Sequence, residues 1–335
     1  MEIDIILNEF TSPAEAVELG LMAERLGIRG VWSCNYAWSR DPFFTLSLLA
    51  QRSTRVRLGP MAISPAELHP LKMANLLFSL NDLSGGRGMI MVGGGGAVTG
   101  AMGKKRQRMI RGARECLEIL KGASPDKALN YNGELYKVYG YKPAWHTEQP
   151  PLIYFGSNHP QSRRMSVELA DGLITSDFVP SLVADFIAQA RMELVAAGRD
   201  PATFRFSNFW AWHIKQDAAA SMREARRELM LRGWLVDQYF APFLDPDELR
   251  LMRVHEKDFL NAFLRRTDVI ENVPQALVDK MIHHIAFAGG LDRIEPAIAT
   301  LKAFAAAGLT EIALRVHDDP AESIRLIGER VLPAL

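Results

Sequence analysis

VRLGPMAISPAELHPLKMANLLFSLNDLSGGRGMIMVGGGG, residues 56–96, is the stretch on which the fold turns. An apolar run over 56–63 reads as a strand. Over 69–86 the apolar residues recur at helical spacing and stop at glycine. A second apolar run over 88–94 leads into four consecutive glycines. Strand, helix and strand in so short a span form the unit of a parallel sheet, whose neighbouring strands need a long crossover between them.

The alternation continues in both directions. Strands are expected at 3–7, 30–34, 151–156, 171–176, 204–214 and 311–316, which brings the total to eight. Helices are expected at 12–27, 41–53, 104–121, 160–170, 180–198, 217–232, 292–307 and 320–332. The first carries its own start signal: Ser12, then a proline, then Glu15 three residues on, with Gly27 as its stop. Eight such units in 335 residues fit a closed (β/α)8 TIM barrel better than an open sheet. Residues 233–291 break the rhythm. They are charged, contain Pro242, Pro246 and Pro274, and fall between the seventh and eighth strands. They read as an insertion, a lid over the mouth of a single domain spanning 1–335.

Lys plus Arg and Asp plus Glu both number 39, so no net charge draws the chain to nucleic acid or to an anionic membrane. The N-terminus lacks a signal-peptide pattern, and no apolar run reaches the length of a membrane span. Cys34 and Cys116 match no metal or redox spacing and read as reduced thiols. A soluble cytoplasmic protein with neither a nucleic-acid nor a membrane partner is expected. His283 and His284 are adjacent and point apart on a helix, so no metal site is expected. His213 and Trp212 read as core, and His255 as a lid residue of undecided role.

In a barrel of this kind the chemistry lies at the C-terminal ends of the strands. That rule selects Glu9 after the first strand and Asn35, Tyr36 and Trp38 after the second. It selects Met61 and Ala62 at the third, and Gly93, Gly94, Gly95 and Gly96 after the fourth. Gly156, Ser157, Asn158 and His159 follow the fifth strand, and Ser176 and Asp177 end the sixth. The glycines give backbone clearance for a flat ligand, or simply end a strand. A dinucleotide fingerprint fits poorly, since it belongs to the first strand–helix turn with an acid about twenty residues on. The helix beginning near Pro160 offers N–H groups to a phosphate, or is ordinarily capped. A carboxylate such as Glu9, buried beyond a strand, is a candidate proton donor. The cationic run KKRQRMIR (104–111) is either a solvated face or a hold for an anionic tail.

Taken together, AERLGIRGVW (23–32), VRLGPMAISP (56–65), HPLKMANLLFSLNDLSGGR (69–87), the glycine strand end, PLIYFGSNHPQS with ELADGLITS (151–176) and FAGGLDRIEPAIATLKAFAAAGLTEIAL (287–314) resemble the bacterial luciferase-like family of flavin- or deazaflavin-dependent oxidoreductases. The resemblance implies a barrel with an insertion between its last two strands, a homodimer, and a cofactor at the mouth. It implies a non-proline cis peptide at Met61–Ala62 under the cofactor ring, Asn35 near that ring, and the cofactor phosphate on residues 156–160 and Ser176. Within the family, VPQALVDKMIHHIAFAGGLDRI (273–294) and Glu9 resemble the methylenetetrahydromethanopterin reductase-like branch. That branch implies coenzyme F420, a deazaflavin that passes only hydride, and an organic carbonyl, imine or activated alkene as substrate. Glu9 or Tyr36 would supply the proton, and Trp38, Gly96 and Asp177 would line the substrate pocket. The alternative is a monooxygenase using reduced FMN and oxygen. Two departures stand out. Asn35–Tyr36 replaces the family's common Asp–His, and Gly96 stands where several deazaflavin enzymes carry an acid. Both point to a larger or less polar substrate.

Overall fold

The computed structural model describes residues 1–104, 108–145, 147 and 149–335. Eight parallel strands form a closed ring: β1 (Glu2–Leu7), β2 (Gly30–Cys34), β3 (Arg57–Ile63), β4 (Met89–Val92), β5 (Leu152–Gly156), β6 (Gly172–Ser176), β7 (Arg205–Trp212) and β8 (Glu311–Arg315). Each pairs with the next, and β8 returns to β1 through Ile3↔Ile312 and Ile6↔Arg315. The expected (β/α)8 barrel is the observed fold.

Around it lie α1 (Pro13–Arg25), α2 (Pro42–Arg52), α3 (Pro70–Leu83), α4 (Met109–Gly122), α5 (Pro160–Leu169), α6 (Pro180–Ala196), α7 (Ile294–Ala306) and α8 (Pro320–Leu326). Six of these eight begin with proline, whose fixed φ and missing N–H suit the first helical turn. Ser12 and Glu15 form the expected capping box at the start of α1, and Asp41 caps α2.

Two features depart from the sequence expectation. α4 starts at Met109 rather than 104, after a short helix, Ala97–Ala101, directly beyond the glycines. An antiparallel hairpin, Leu129–Asn132 with Lys137–Tyr141, stands between α4 and β5. Its Asn132–Gly133 turn is a hairpin signal too short to register against the barrel period. The Glu115 carboxylate holds that turn, accepting from the N–H groups of Glu134, Leu135 and Tyr136 at 2.8–2.9 Å.

Two apolar layers position the site. One lies between strands and helices. The other fills the barrel with Ile6, Trp32, Cys34, Met61, Met89, Tyr154, Ile174 and Ala313. At the N-terminal end, Arg29 closes the interior. It pairs with Asp4 through Nε (2.8 Å) and Nη2 (2.5 Å), and with Glu311 through Nη1 at 2.8 Å. β3 and β4 approach so closely that a Cβ on Gly59 would lie 1.8 Å from the Met89 carbonyl oxygen. Between β7 and β8 the chain carries helices Ala218–Glu228, Pro246–Val254, Glu256–Arg265 and Gln275–Ile285.

Candidate active site

Met61–Ala62 is a cis peptide not involving proline, at the position the resemblance implies. The β3–β4 register shifts between Met61 and Ile63, so the strand bulges there. Asn35 braces the bulge. Its Nδ2 donates to the Ala62 carbonyl (3.1 Å) and to Glu67 Oε1 (2.8 Å), which also accepts from the Ser64 N–H at 2.7 Å. Burial pushes the Glu67 carboxyl above its ordinary range, against those hydrogen bonds.

The bulge forms one wall of a cavity of about 340 Å³ at the C-terminal end of the barrel. The cavity brings together Asn35, Tyr36, Met61, Ala62, Gly93, Gly94, Gly95, Gly96 and Ser176 from the sequence-selected set. Glu67, Met91, Phe209, Arg232 and Trp234 line it as well. β4 ends at Val92, so all four glycines belong to the loop rather than to the strand. They differ in what they tolerate. Gly95 has φ +95°, and a Cβ there would meet Thr99 Oγ1 at 2.6 Å. At Gly94 and Gly96 a Cβ would have no protein atom within 4 Å. The protein's own packing does not demand glycine at those two positions, whereas a flat group lying on the loop would. The cradle therefore fits a planar ring system seated between the Met61–Ala62 bulge and the glycine loop.

Tyr36 faces the same cavity. Trp38, half-exposed, stacks on it at 5.4 Å between ring centroids with 5° between the planes. The Arg315 guanidinium lies 5.4 Å from the Tyr36 ring centroid, and Arg315 Nη2 donates to Glu9 Oε2 at 2.7 Å. Burial pushes the Tyr36 phenol up while Arg315 pulls it back, and the net direction is upward. Tyr36 is thus a protonated donor at neutral pH. Glu9 does not line the cavity; it sits behind Tyr36 as the partner of Arg315.

The remaining selected residues lie around this cavity without lining it. Asp177 is fully buried. Its Oδ1 lies 3.1 Å from Arg232 Nη1, and its Oδ2 accepts from the Gly233 N–H and from Ser176 Oγ, both at 2.9 Å. It anchors the segment after β7 at the rim. Gly156 packs against Met91, whose Cε lies 2.4 Å from where a Cβ would stand. Beyond it, Ser157 N–H donates to Ile174 O and Ser157 Oγ to Ser162 Oγ. The Asn158 side chain bridges the Ser176 N–H and carbonyl and donates to Tyr239 Oη at 2.6 Å. His159 is exposed at the start of α5, its N–H on Ser162 Oγ at 3.3 Å. Many of the polar groups expected to face a phosphate are thus committed to one another.

Of the cationic run, Lys105, Arg106 and Gln107 lie outside the described residues. Lys104 donates to the Ala66 carbonyl at 2.6 Å, and Arg108 and Arg111 pair with Glu134. His213 is core, as expected, on Glu224 at 2.7 Å.

Sequence reasoning did not select Glu67, Arg232 or Arg315. Arg315 had a legible signal: in the strand EIALR a cation follows three apolar residues at the end that reaches the barrel mouth. Arg232 and Glu67 sit in loops whose path no periodicity fixes.

The luciferase-like monooxygenase family is matched over residues 4–311. A 5,10-methylenetetrahydromethanopterin reductase from Archaeoglobus fulgidus is 25% identical over 94% of this chain and 93% of its own. Among solved structures, the coenzyme F420-dependent tetrahydromethanopterin reductase from Methanopyrus kandleri superimposes with a TM-score of 0.82 at 20% identity, covering 99% of this chain and 98% of its own. The monooxygenase RslO1 from Streptomyces bottropensis gives 0.73 at 20% identity, covering 99% of each chain. With its barrel, its cis bulge and a family match across nearly the whole length, the chain belongs to the luciferase-like family.

Proposed function

We propose that this protein is an F420-dependent oxidoreductase that transfers hydride between the deazaflavin and an organic acceptor. The observation that carries the reading is the cradle itself: the Met61–Ala62 bulge facing a glycine loop with open space at Gly94 and Gly96. The reductase relatives favour the deazaflavin within the family.

When bound, the deazaflavin would supply or accept hydride; the protein positions the partner and handles the proton. Met61, Ala62 and Gly93–Gly96 hold the ring, with Asn35 fixing the bulge. Ser176 and the Gly156–His159 loop would hold the cofactor's phosphate. Tyr36 donates the proton at the acceptor. Glu9 acts through Arg315, holding that guanidinium over the Tyr36 ring. Trp38 and Gly96 border the substrate side, and Asp177 supports it by fixing Arg232. Residues 233–291 form the lid of the single domain, with Trp234 at the cavity rim.

The enzyme works as a homodimer in the cytoplasm on this reading. Phe44, Leu48, Leu76 and Leu83 expose a shared apolar face on α2 and α3 that suits a second copy. Two buried, unbridged cysteines suit a reducing compartment.

Titration of the purified protein with F420 and with FMN, followed by fluorescence, tests the assignment. Binding of F420 without oxygen consumption is expected. Micromolar FMN binding with oxygen consumption and no F420 binding would establish the monooxygenase alternative, to which the likeness to RslO1 gives standing.

A further inference from the structure

Resting on the hydride-transfer reading, we infer that the cavity is built for the oxygen of a carbonyl acceptor, a ketone or an enone, and that Arg232 at its wall and Arg315 acting through Tyr36 select it over an iminium. Both guanidiniums are buried, at 2% exposure each. Arg315 lies over Tyr36, and Arg232 lies 4.8 Å from the Phe209 ring centroid; Tyr36, Arg232 and Phe209 all line the cavity. Their hydrogen bonding is incomplete. Arg315 gives Nη2 to Glu9, while its Nε and Nη1 have no partner among the described residues. Arg232 gives Nη1 to Asp177, and its Nε has none. Buried guanidinium donors are normally matched, so one unmatched donor on the cavity-lining Arg232 and two on Arg315, packed on the cavity-lining Tyr36, mark a place where negative charge is to be met.

The charged and titratable groups that act on Tyr36 are Arg315, Arg232, Glu9 and Cys34. Glu9 and Asp177, which pair with the arginines, and Glu228, which also acts on Arg315, do not line the cavity. Glu67, the carboxylate that does, is tied to Asn35 and the Ser64 N–H at the bulge. Arg232 lines the cavity itself, and Arg315 acts on it through Tyr36. Hydride addition to a neutral carbonyl makes oxygen anionic, and this field favours that change. An iminium begins cationic and ends neutral, so the same field opposes its binding and gives its reduction nothing in return.

The reduced deazaflavin, when bound, would supply the hydride that forms a C–H bond at the carbonyl carbon, or at the β-carbon of an enone. The displaced π pair moves onto oxygen, through the C=C bond in the enone. The Tyr36 O–H bond breaks as its proton passes to that oxygen. The phenolate left over Arg315 recovers a proton from solvent at the rim.

The test uses the full chain without cofactor and 4-nitrophenol as a planar oxyanion mimic, its ionisation read by absorbance across pH. The bound probe is expected to ionise about one pH unit below the free probe, a roughly tenfold enrichment of nitrophenolate. Arg315→Met should abolish the shift and Arg315→Lys should keep part of it, with circular dichroism confirming both folds. Should Arg315→Met fail to fold, Arg315→Lys and Arg232→Met carry the comparison. Neutral nitrophenol bound preferentially, no binding at millimolar probe, or an equal shift in folded Arg315→Met would each overturn the inference. A separate F420 titration isolates the underlying reading: loss of F420 binding with a retained nitrophenolate shift breaks the hydride assignment and leaves the oxyanion site standing.

Discussion

Replacing Gly94 by alanine separates what the fold needs from what the ligand needs. The new Cβ meets no protein atom within 4 Å, and Gly94 lies outside the left-handed φ region. Folding should therefore be unharmed, or gain up to about 1 kcal/mol because the unfolded chain loses freedom. For 335 residues the unfolding entropy is roughly 0.7 kcal/mol per degree, so Tm should rise by no more than about 1–2 °C. Ligand binding should suffer, since the methyl group enters the space reserved for the ring. Overpacking of a fitted site costs about 1–3 kcal/mol, which is roughly five- to 150-fold in affinity. Gly59→Ala is the contrasting control. Its Cβ would fall 1.8 Å from the Met89 carbonyl oxygen, in a barrel ladder that cannot yield. There the loss should reach about 3 kcal/mol or more and appear in Tm. Thermal unfolding and F420 fluorescence titration of both variants give the comparison. Gly94→Ala binding F420 within twofold of the parent, with unchanged Tm, would refute the cradle. So would a clear fall in its Tm, because the glycine would then be serving the protein's own packing.

Three further outcomes are expected. Asp177→Ala strands the Arg232 guanidinium and the Gly233 N–H in a buried place, which should cost about 3–5 kcal/mol, or roughly 4–7 °C in Tm by calorimetry. The Glu67 carboxyl is raised in the folded state, so its contribution to stability is complete below about 4.5 and is lost as pH rises through the raised value; Glu67→Gln should gain stability relative to the parent across that window, read by urea unfolding at several pH values. Phe44→Asp should shift the protein from dimer to monomer in light scattering while leaving F420 binding per chain unchanged, because Phe44 is 73% exposed on α2, away from the cavity.

The barrel was legible because its signals are local and repeated. A proline or Ser/Asp cap opens most of the helices, and apolar runs fill the strands. The strand-end rule then located Tyr36, Asn35 and the glycines without any motif, since closing the barrel forces those ends together. The same rule could not say which way a side chain at a strand end turns. Asp177 and Tyr36 both follow a strand, yet Asp177, at φ +58°, turns down onto Arg232 and Gly233 while Tyr36 faces the cavity. Arg232 and Trp234 reach the site through three consecutive residues, Gly233, Trp234 and Leu235, with φ of 51–53°. That turn depends on a contact 56 residues away in sequence, Gly233 with Asp177, and no periodicity encodes such a contact.

The two ends of the barrel use buried arginine differently, and the difference yields a final prediction. At the N-terminal end, Nε, Nη1 and Nη2 of Arg29 all have partners in Asp4, Glu311 or Tyr154. At the mouth, Arg315 matches only Nη2 among the described residues. Arg29→Met would leave Asp4 and Glu311, both fully buried, without their shared cation. Asp4 would keep only the Trp32 indole N–H, while Glu311 would keep Arg205, so the variant should lose about 3–5 kcal/mol, the cost of removing one partner of a buried pair. Arg315→Met strands only Glu9, whose side chain is 13% exposed and can turn toward water at the mouth. That variant should therefore fold with a smaller loss and show its defect in the pH dependence of the site. Denaturant unfolding of the two variants side by side decides the matter. If Arg315→Met proved as destabilising as Arg29→Met, the arginine at the mouth would be structural mortar like its counterpart, and its unmatched nitrogens would carry no functional meaning.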